Sequence, residues 1–405
     1  MRPFAPFLAL AALAGLASPA LSFADTSIKP VKEWTMLVFL NGNNNLDRFG
    51  AEDINEMERV GSTDQINVVV QWASLSTRQV KRVYVKKDTN TSVVNSPVLQ
   101  DMGTVDMGDW KKLVEFVQWG IKNYPAKRYF VDVWNHGGGW HRTSKRALNA
   151  GITPSDISWD DISGNFITTP QLGQAMAAIS QSLGRKVDLY GSDACLMAMA
   201  EVSNEMKDSV DVFMGSQETE PGDGWPYDDL LTAWSKDQTA TPAQVASMLT
   251  DAYVKSYSGG SQGSSNGITF SSYNLTAQGA LNAAIRDLGI NLMTLAPTEA
   301  GKAMLALRDT QSYAYADYGD LIDFIDQLER KSIKGLDRNA ITAVRDAAAK
   351  FILTNKTSQS YRLSHGVSIW LPDSSYSLNA YDDKYRAMRF HGDTGWLDTL
   401  MFLHR

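Results

Sequence analysis

Apolar runs too short to be helices recur along this chain, and helix-like stretches alternate with them. Trp34-Thr-Met-Leu-Val-Phe-Leu40 is followed by a helical pattern from Leu46 to Val60, closed by Gly61. Ile66–Trp72, Arg128–Trp134, Val187–Tyr190 and Asp211–Gly215 repeat the theme. Continuous apolar strands of this kind belong in a sheet covered on both faces. Strands that alternate with helices make that sheet mostly parallel. The expected fold is therefore α/β, a mostly parallel sheet flanked by helices on both faces, with binding groups at the carboxyl ends of its strands.

The remaining elements fit around that sheet. Val80–Val85 and Val93–Leu99 read as an edge hairpin, and Asp109 as the cap of a helix over Trp110–Asn123. Residues 140–168 are polar and irregular, long for an internal connection. Thr169-Pro170 opens a helix to Leu183, and Leu196–Met206 reads as helical. Further helices are expected near 228–235, 242–257, 276–289, 298–309, 319–331 and 337–353. Ile268–Tyr273 and Gly366–Leu371 are late strands. Ser258–Gly267 is rich in Gly and Ser and is the best linker candidate. It divides a core over 25–257 from a helical C-terminal subdomain over 258–405, whose two strands are expected to join the core sheet.

Residues 1–24 carry the marks of an export signal. Arg2 starts it, Phe7–Leu16 is its apolar centre, and Ser22-Phe23-Ala24 offers small residues for cleavage. A periplasmic or secreted location follows. No other stretch is long and apolar enough to cross a membrane. The net charge of −7 gives no basic face for nucleic acid.

Export makes the cysteine count informative. The chain has one cysteine, Cys195, which cannot form an internal bridge. A lone thiol in an exported chain is either a small buried residue or a reactive group. It follows Val187-Asp-Leu-Tyr-Gly-Ser-Asp-Ala194, a strand and a turn. If a helix begins there, its unpaired N–H groups favour the thiolate. His136-Gly-Gly-Gly139 follows the Arg128–Trp134 strand in the same way. One helix and one long loop separate the two, as expected for neighbouring strands whose exit loops share a crevice. A thiol attacking a carbonyl needs a base, a proton donor for the leaving amine and an oxyanion site. Cys195 and His136 supply the first pair; the Gly137 and Cys195 N–H groups are candidates for the last. The other histidines, His141, His365, His391 and His404, have no comparable setting.

A histidine-glycine after one strand and Asp-x-Cys after the next resemble the caspase-like cysteine peptidases. The chain is most similar to the clostripain family. The resemblance is carried by Trp34–Gly42, Asn44-Asn-Leu-Asp47, Trp134-Asn-His-Gly-Gly-Gly-Trp140, Asp188–Cys195, Glu218-Thr-Glu-Pro-Gly-Asp-Gly-Trp225 and Gly366–Pro372. It implies a caspase-like fold and an endopeptidase, acting as a monomer, on proteins or peptides with Arg or Lys before the scissile bond. It implies that Asp193 and Asp223 form the pocket for that cation, with Glu218 and Glu220 ranked behind them. It further implies a zymogen cut in the loop after the histidine, where Arg146 is the preferred site and Lys145 the next. No cofactor is required by this chemistry. Some family members need calcium, for which Asp156, Asp160 and Asp161 are the acidic cluster of that loop, without an EF-hand pattern.

Two other readings compete. Gly259-Gly-Ser261-Gln-Gly263 fits the nucleophile elbow of serine hydrolases, but it follows a helix and precedes a strand, the reverse of what an elbow requires. An exported binding or scaffold protein with a dead site is the alternative of a different class.

Overall fold

The computed structural model describes residue 1 and residues 30–141 and 156–405. Its strands, in chain order, are β1 (Lys32–Gly42), β2 (Ile66–Ser74), β3 (Gln79–Tyr84), β4 (Val98–Asp101), β5 (Ala126–Trp134), β6 (Ile157–Asp160), β7 (Asn165–Ile167), β8 (Val187–Asp193), β9 (Val210–Gly215), β10 (Ser258–Gly260), β11 (Gly263–Ser264), β12 (Thr269–Asn274), β13 (Tyr318–Asp320), β14 (Ile352–Thr357) and β15 (Ser368–Trp370). Nine of them form one sheet in the order β14-β12-β9-β8-β5-β1-β2-β3-β4. The centre, β9-β8-β5-β1-β2, is parallel. Antiparallel pairs close it on both sides, β3 and β4 at one edge, β12 and β14 at the other. The mostly parallel sheet expected from the alternation is therefore present.

Helices cover both faces because successive side chains of a buried strand point to opposite sides. Met36, Val38 and Leu40 of β1 enter one apolar layer, with Phe130 and Leu189. Leu37 and Phe39 enter the other, with Val131, Val133 and Tyr190. The first layer is closed by α1 (Asp47–Val60), α5 (Tyr227–Trp234) and α6 (Pro242–Ser256). The second is closed by α2 (Trp110–Asn123), α3 (Thr169–Leu183) and α4 (Ala200–Met206), and by the C-terminal helices α7 (Gln278–Leu292), α8 (Pro297–Asp309), α9 (Leu321–Arg330) and α10 (Arg338–Phe351). Local signals set the ends. Asp109 accepts the Lys111 N–H at 3.0 Å at the start of α2. Thr168 and Gln171 form a capping box on α3, and Gly184 ends it in the left-handed region.

Several expectations need correction. The segment 140–168 is not wholly irregular, since β6 and β7 form a hairpin within it. The second strand of the edge hairpin is β4, several residues later than Val93. Ser258–Gly267 is not an open connector but the small β10–β11 ladder. Gly366–Leu371 does not join the core sheet: β15 pairs with β13 and docks beside α4 through a Met199–Ser368 bridge and hydrogen bonds of Ser368 to the Ala198 carbonyl. The outer place is filled instead by β14, cut from the expected 337–353 helix where Ile352 turns extended. Three closing helices, α11 (Ser375–Arg386), α12 (Arg389–Thr394) and α13 (Trp396–Leu403), escaped the reading; their short, aromatic-rich segments give weak helical periodicity. Among the described residues no helix is long and apolar enough to cross a membrane.

Candidate active site

The two candidate catalytic groups leave the sheet side by side. In the β5–β8 ladder Trp134 pairs with Asp193, so His136 and Cys195 each lie two residues beyond the same rung. The Asn135 N–H donates to the Asp193 carbonyl at 3.1 Å, which extends the ladder one step towards both. Beyond it the two exit loops touch. A Cβ on Gly137 would stand 2.4 Å from the Cys195 carbonyl oxygen, closer than any side chain can come, so this position must be glycine.

The backbone after Cys195 differs from expectation. No helix starts there; α4 begins only at Ala200, and residues 195–199 form an irregular stretch. Leu196 has φ +63°, a left-handed conformation that costs a branched residue roughly 1 kcal/mol. It is held by the Leu196 N–H on the Glu218 carbonyl at 3.2 Å and the Ala198 N–H on that of Ser216 at 3.0 Å. The sulfur is thus presented by a strained turn pinned to the exit of β9, and the helix-terminus argument for a stabilised thiolate does not apply.

Cys195 is partly exposed, and its sulfur accepts the Glu220 backbone N–H at 3.3 Å. Burial pushes the thiol up to about 11; the Glu220 N–H works against this, while the charges of Glu218 and Asp193 add to it. Burial pulls His136 down to about 4, against the attraction of Asp161. Near neutral pH the pair is therefore a thiol and a neutral imidazole, not an ion pair. His136 Nε2 lies 2.7 Å from the Asn45 side-chain oxygen.

Beneath the thiol lies a group of buried carboxyls. Asp193 is 4% exposed and accepts the Tyr227 hydroxyl at 2.8 Å. The same hydroxyl lies 2.7 Å from Asp132 in the middle of β5. One hydroxyl proton serves only one acceptor, so one of the two carboxyls must itself be protonated. Burial and the Asp193 charge raise Asp132 well above the carboxylate range, which makes it the protonated one. Asp53 on α1 receives the Trp134 indole N–H at 2.6 Å and is likewise raised by burial and by Asp193. Gly224 stands where the Asp193 and Asp53 carboxyls converge: a Cβ there would be 3.5 Å from oxygens of both. Burial and Asp193 also raise Glu220, whose buried carboxyl lies against the Asp193 carboxyl and the Trp225 side chain. Asp193 itself is pushed up to about 6, by burial. Among the described residues no Lys or Arg forms an ion pair with any of these four groups. These carboxyls are held by the Trp134 indole, the Tyr227 hydroxyl and the Trp225 N–H and by no cation among those residues, an arrangement that is costly to fold.

The structure separates the remaining candidates. Asp223 is exposed on the rim, one residue from Gly224, and its carbonyl accepts Gln262 Nε2 at 2.7 Å. Glu218 is turned away from the pocket: it holds the Thr219 and Ala314 N–H groups and the Tyr361 hydroxyl. Arg146 and Lys145 lie outside the described residues, as does the leader. Asp156, Asp160 and Asp161 do not form a cage. Asp156 is engaged by Lys384 and the Thr169 N–H, Asp160 by Asn43 and three backbone N–H groups, and Asp161 by the Trp159 indole. No cluster suited to a metal ion occurs among the described residues. Ser261 sits in the exposed β10–β11 turn against Asp229, remote from any nucleophile elbow.

Sequence reasoning missed Asn45, Asp53, Asp132 and Tyr227. A usable signal existed for Asp132, a carboxylate inside an otherwise apolar strand. Asp53 and Tyr227 lie on helices distant in sequence, and only the fold brings them together.

Residues 38–402 match the clostripain family. Clostripain of Hathewaya histolytica is 27% identical over 323 residues, 68% of this chain and 59% of clostripain, so the chain spans less than two thirds of that relative's length. A secreted cysteine protease from Bacteroides thetaiotaomicron, solved with an irreversible peptide inhibitor, superposes with a TM-score of 0.69 at 22% identity, over 90% of this chain and 99% of the other. An inactive zymogen protease from Parabacteroides distasonis gives 0.68 at 19% identity, over 91% and 99%. At those identities the superpositions establish a shared fold. The family match runs from Val38 in β1 into the last helix, and on it the chain belongs to the clostripain family of cysteine peptidases.

Proposed function

We propose that this chain is an exported endopeptidase that hydrolyses peptide bonds after Arg or Lys. The observation that carries the reading is the common rung beneath His136 and Cys195, with the buried carboxyls of Asp193 and Asp53 converging beside Gly224. The Cys195 sulfur attacks the scissile carbonyl as its proton passes to His136, forming the carbon–sulfur bond. The Gly137 and Cys195 N–H groups hold the oxyanion. The tetrahedral species collapses, the carbon–nitrogen bond breaks, and His136 returns the proton to the leaving amine. Water then hydrolyses the thioester, again with His136 as base, and restores the thiol.

Asp193, with Glu220 and Asp53 behind it and Asp223 at the rim, receives the Arg or Lys side chain. A guanidinium or ammonium supplies the charge these carboxyls lack, through charge-assisted hydrogen bonds. The enzyme works as a monomer and without a cofactor. Calcium is a poor fit, because each loop carboxylate proposed for it already has partners. The leader at residues 1–24 directs the chain out of the cytoplasm, to the periplasm or beyond. Cleavage after Arg146, or after Lys145, converts the zymogen in the loop that follows His136.

Hydrolysis of arginyl, lysyl and neutral amide reporters by the wild type, Cys195→Ala and His136→Ala tests this. Both variants should be inactive while folding normally, and mass spectrometry of the Cys195→Ala protein should show the 142–155 loop intact. Equal rates in wild type and Cys195→Ala would leave a binding protein without catalysis.

A further inference from the structure

Asn45 is exposed at the end of the Asn41-Gly-Asn-Asn-Asn45 turn, yet its side-chain oxygen lies on the His136 ring at 2.7 Å. The turn beneath it is fixed. Asn41 donates to the Ser158 hydroxyl at 3.1 Å and to the Trp159 carbonyl at 3.0 Å. Asn43 donates to Asp160 at 2.8 Å and Asn44 to the Trp159 carbonyl at 2.8 Å. On the far side Asp47 accepts the Leu75 and Ser76 N–H groups at 3.1 and 2.9 Å. Asn135, next to the histidine, is locked into the same lattice through the Asn41 carbonyl at 2.5 Å and the Trp159 N–H at 2.7 Å. The neighbouring asparagines are thus spent on holding Ser158, Trp159 and Asp160. Asn45 is the one whose amide meets a ring able to move a proton.

We propose, building on the reading of His136 as the acid and base, that Asn45 is a positioning residue that fixes the His136 tautomer. An amide oxygen can only accept. Nε2 must therefore carry the ring proton, and Nδ1 keeps the lone pair that takes the thiol proton and later returns it to the amine. The ring is also held in rotation, since a single bond at Nε2 to a pinned turn leaves Nδ1 facing one way. Apolar packing cannot do this work for an exposed ring edge, which accounts for a polar residue at an otherwise unconstrained position.

The test compares Asn45→Leu and Asn45→Asp with the wild type on an arginyl amide substrate, with His136→Ala alongside. Asn45→Leu should lower kcat about tenfold or more, with KM changed less than about twofold. Asn45→Asp, which retains an oxygen acceptor, should recover most of the loss. In a Cys195→Ala background, 15N spectra of the ring should show Nε2–H with Asn45 present and a mixed population with Leu. An unchanged kcat in Asn45→Leu, or an Nδ1–H ring in the presence of Asn45, overturns the proposal. If Asn45→Leu fails to fold, the 15N spectrum with Asn45 in place still decides. Full activity in His136→Ala would instead sink the underlying reading of the dyad.

Discussion

Glu220 touches both halves of the site: its backbone N–H lies on the Cys195 sulfur at 3.3 Å, while its carboxyl is buried next to Asp193. The Cys195 thiol and the Asp193 carboxyl are thereby joined through one residue. The two roles can be separated, because a Gln side chain leaves the N–H in place. Glu220→Gln should alkylate with iodoacetamide at the wild-type rate, yet lose about tenfold in kcat/KM on arginyl substrates, the size expected for one charge-assisted hydrogen bond. A parallel fall in alkylation would show that the side chain also shapes the nucleophile.

Burial shifts Cys195 and His136 in opposite directions, and that has a pH signature. With the thiol pushed up to about 11 and the imidazole pulled down to about 4, only a small thiolate fraction exists near pH 7. Alkylation of the free enzyme by iodoacetamide should climb steadily from pH 6 towards pH 10. A plateau across pH 5–8 is what a pre-formed thiolate–imidazolium pair would give, and its appearance would refute the neutral dyad.

Asp193 sets a second limb. Its carboxyl is pushed up to about 6 by burial, and only its ionised form attracts a cation. Asp53 and Glu220 face it, and Tyr227 and the Trp225 N–H bond to it. On arginyl substrates kcat/KM should therefore fall as pH drops through about 6. Asp193→Asn should lose both that limb and the preference for basic over neutral residues. A variant that kept the preference would move the pocket elsewhere.

Much of this was legible in the chain. The strand Arg128–Trp134 and the strand ending at Asp193 are apolar runs with turn residues after them, and their shared exit follows from parallel topology alone. What stayed hidden is non-local. The left-handed Leu196 cannot be foreseen from Cys-Leu-Met-Ala, whose composition favours helix; only the hydrogen bonds to Glu218 and Ser216 override it. The sequence pattern carries the 337–353 helix two residues into the edge strand β14, because Ile352 and Leu353 continue its apolar period, and pairing with β12 decides the matter. Asn45 reads as one more turn asparagine until His136 is placed above it.

Asp132 offers a test of what the acidic pocket costs the fold. It sits between Val38 and Gly191 in the sheet, with one oxygen bonded to the Tyr227 hydroxyl and the Asp193 backbone N–H acting on the carboxyl. Burial and the Asp193 charge raise it well above its unfolded value. Over the range between those two values the folded chain binds more protons than the unfolded one, so stability falls as pH rises. Asn has the same shape, carries no charge, and can donate its amide to the Tyr227 oxygen while the Tyr227 proton goes to Asp193. Asp132→Asn should therefore stabilise the fold by about 1 kcal/mol at pH 8, ~2 °C in Tm. The gain should be smaller at pH 5 and vanish only below about 4, where the carboxyl is protonated in the unfolded chain as well. Thermal unfolding of both proteins in the Cys195→Ala background, which prevents self-digestion, reads this directly. A gain equal at both pH values, or a loss that grows with pH, would mean that Asp132 is charged in the fold and stabilised by it.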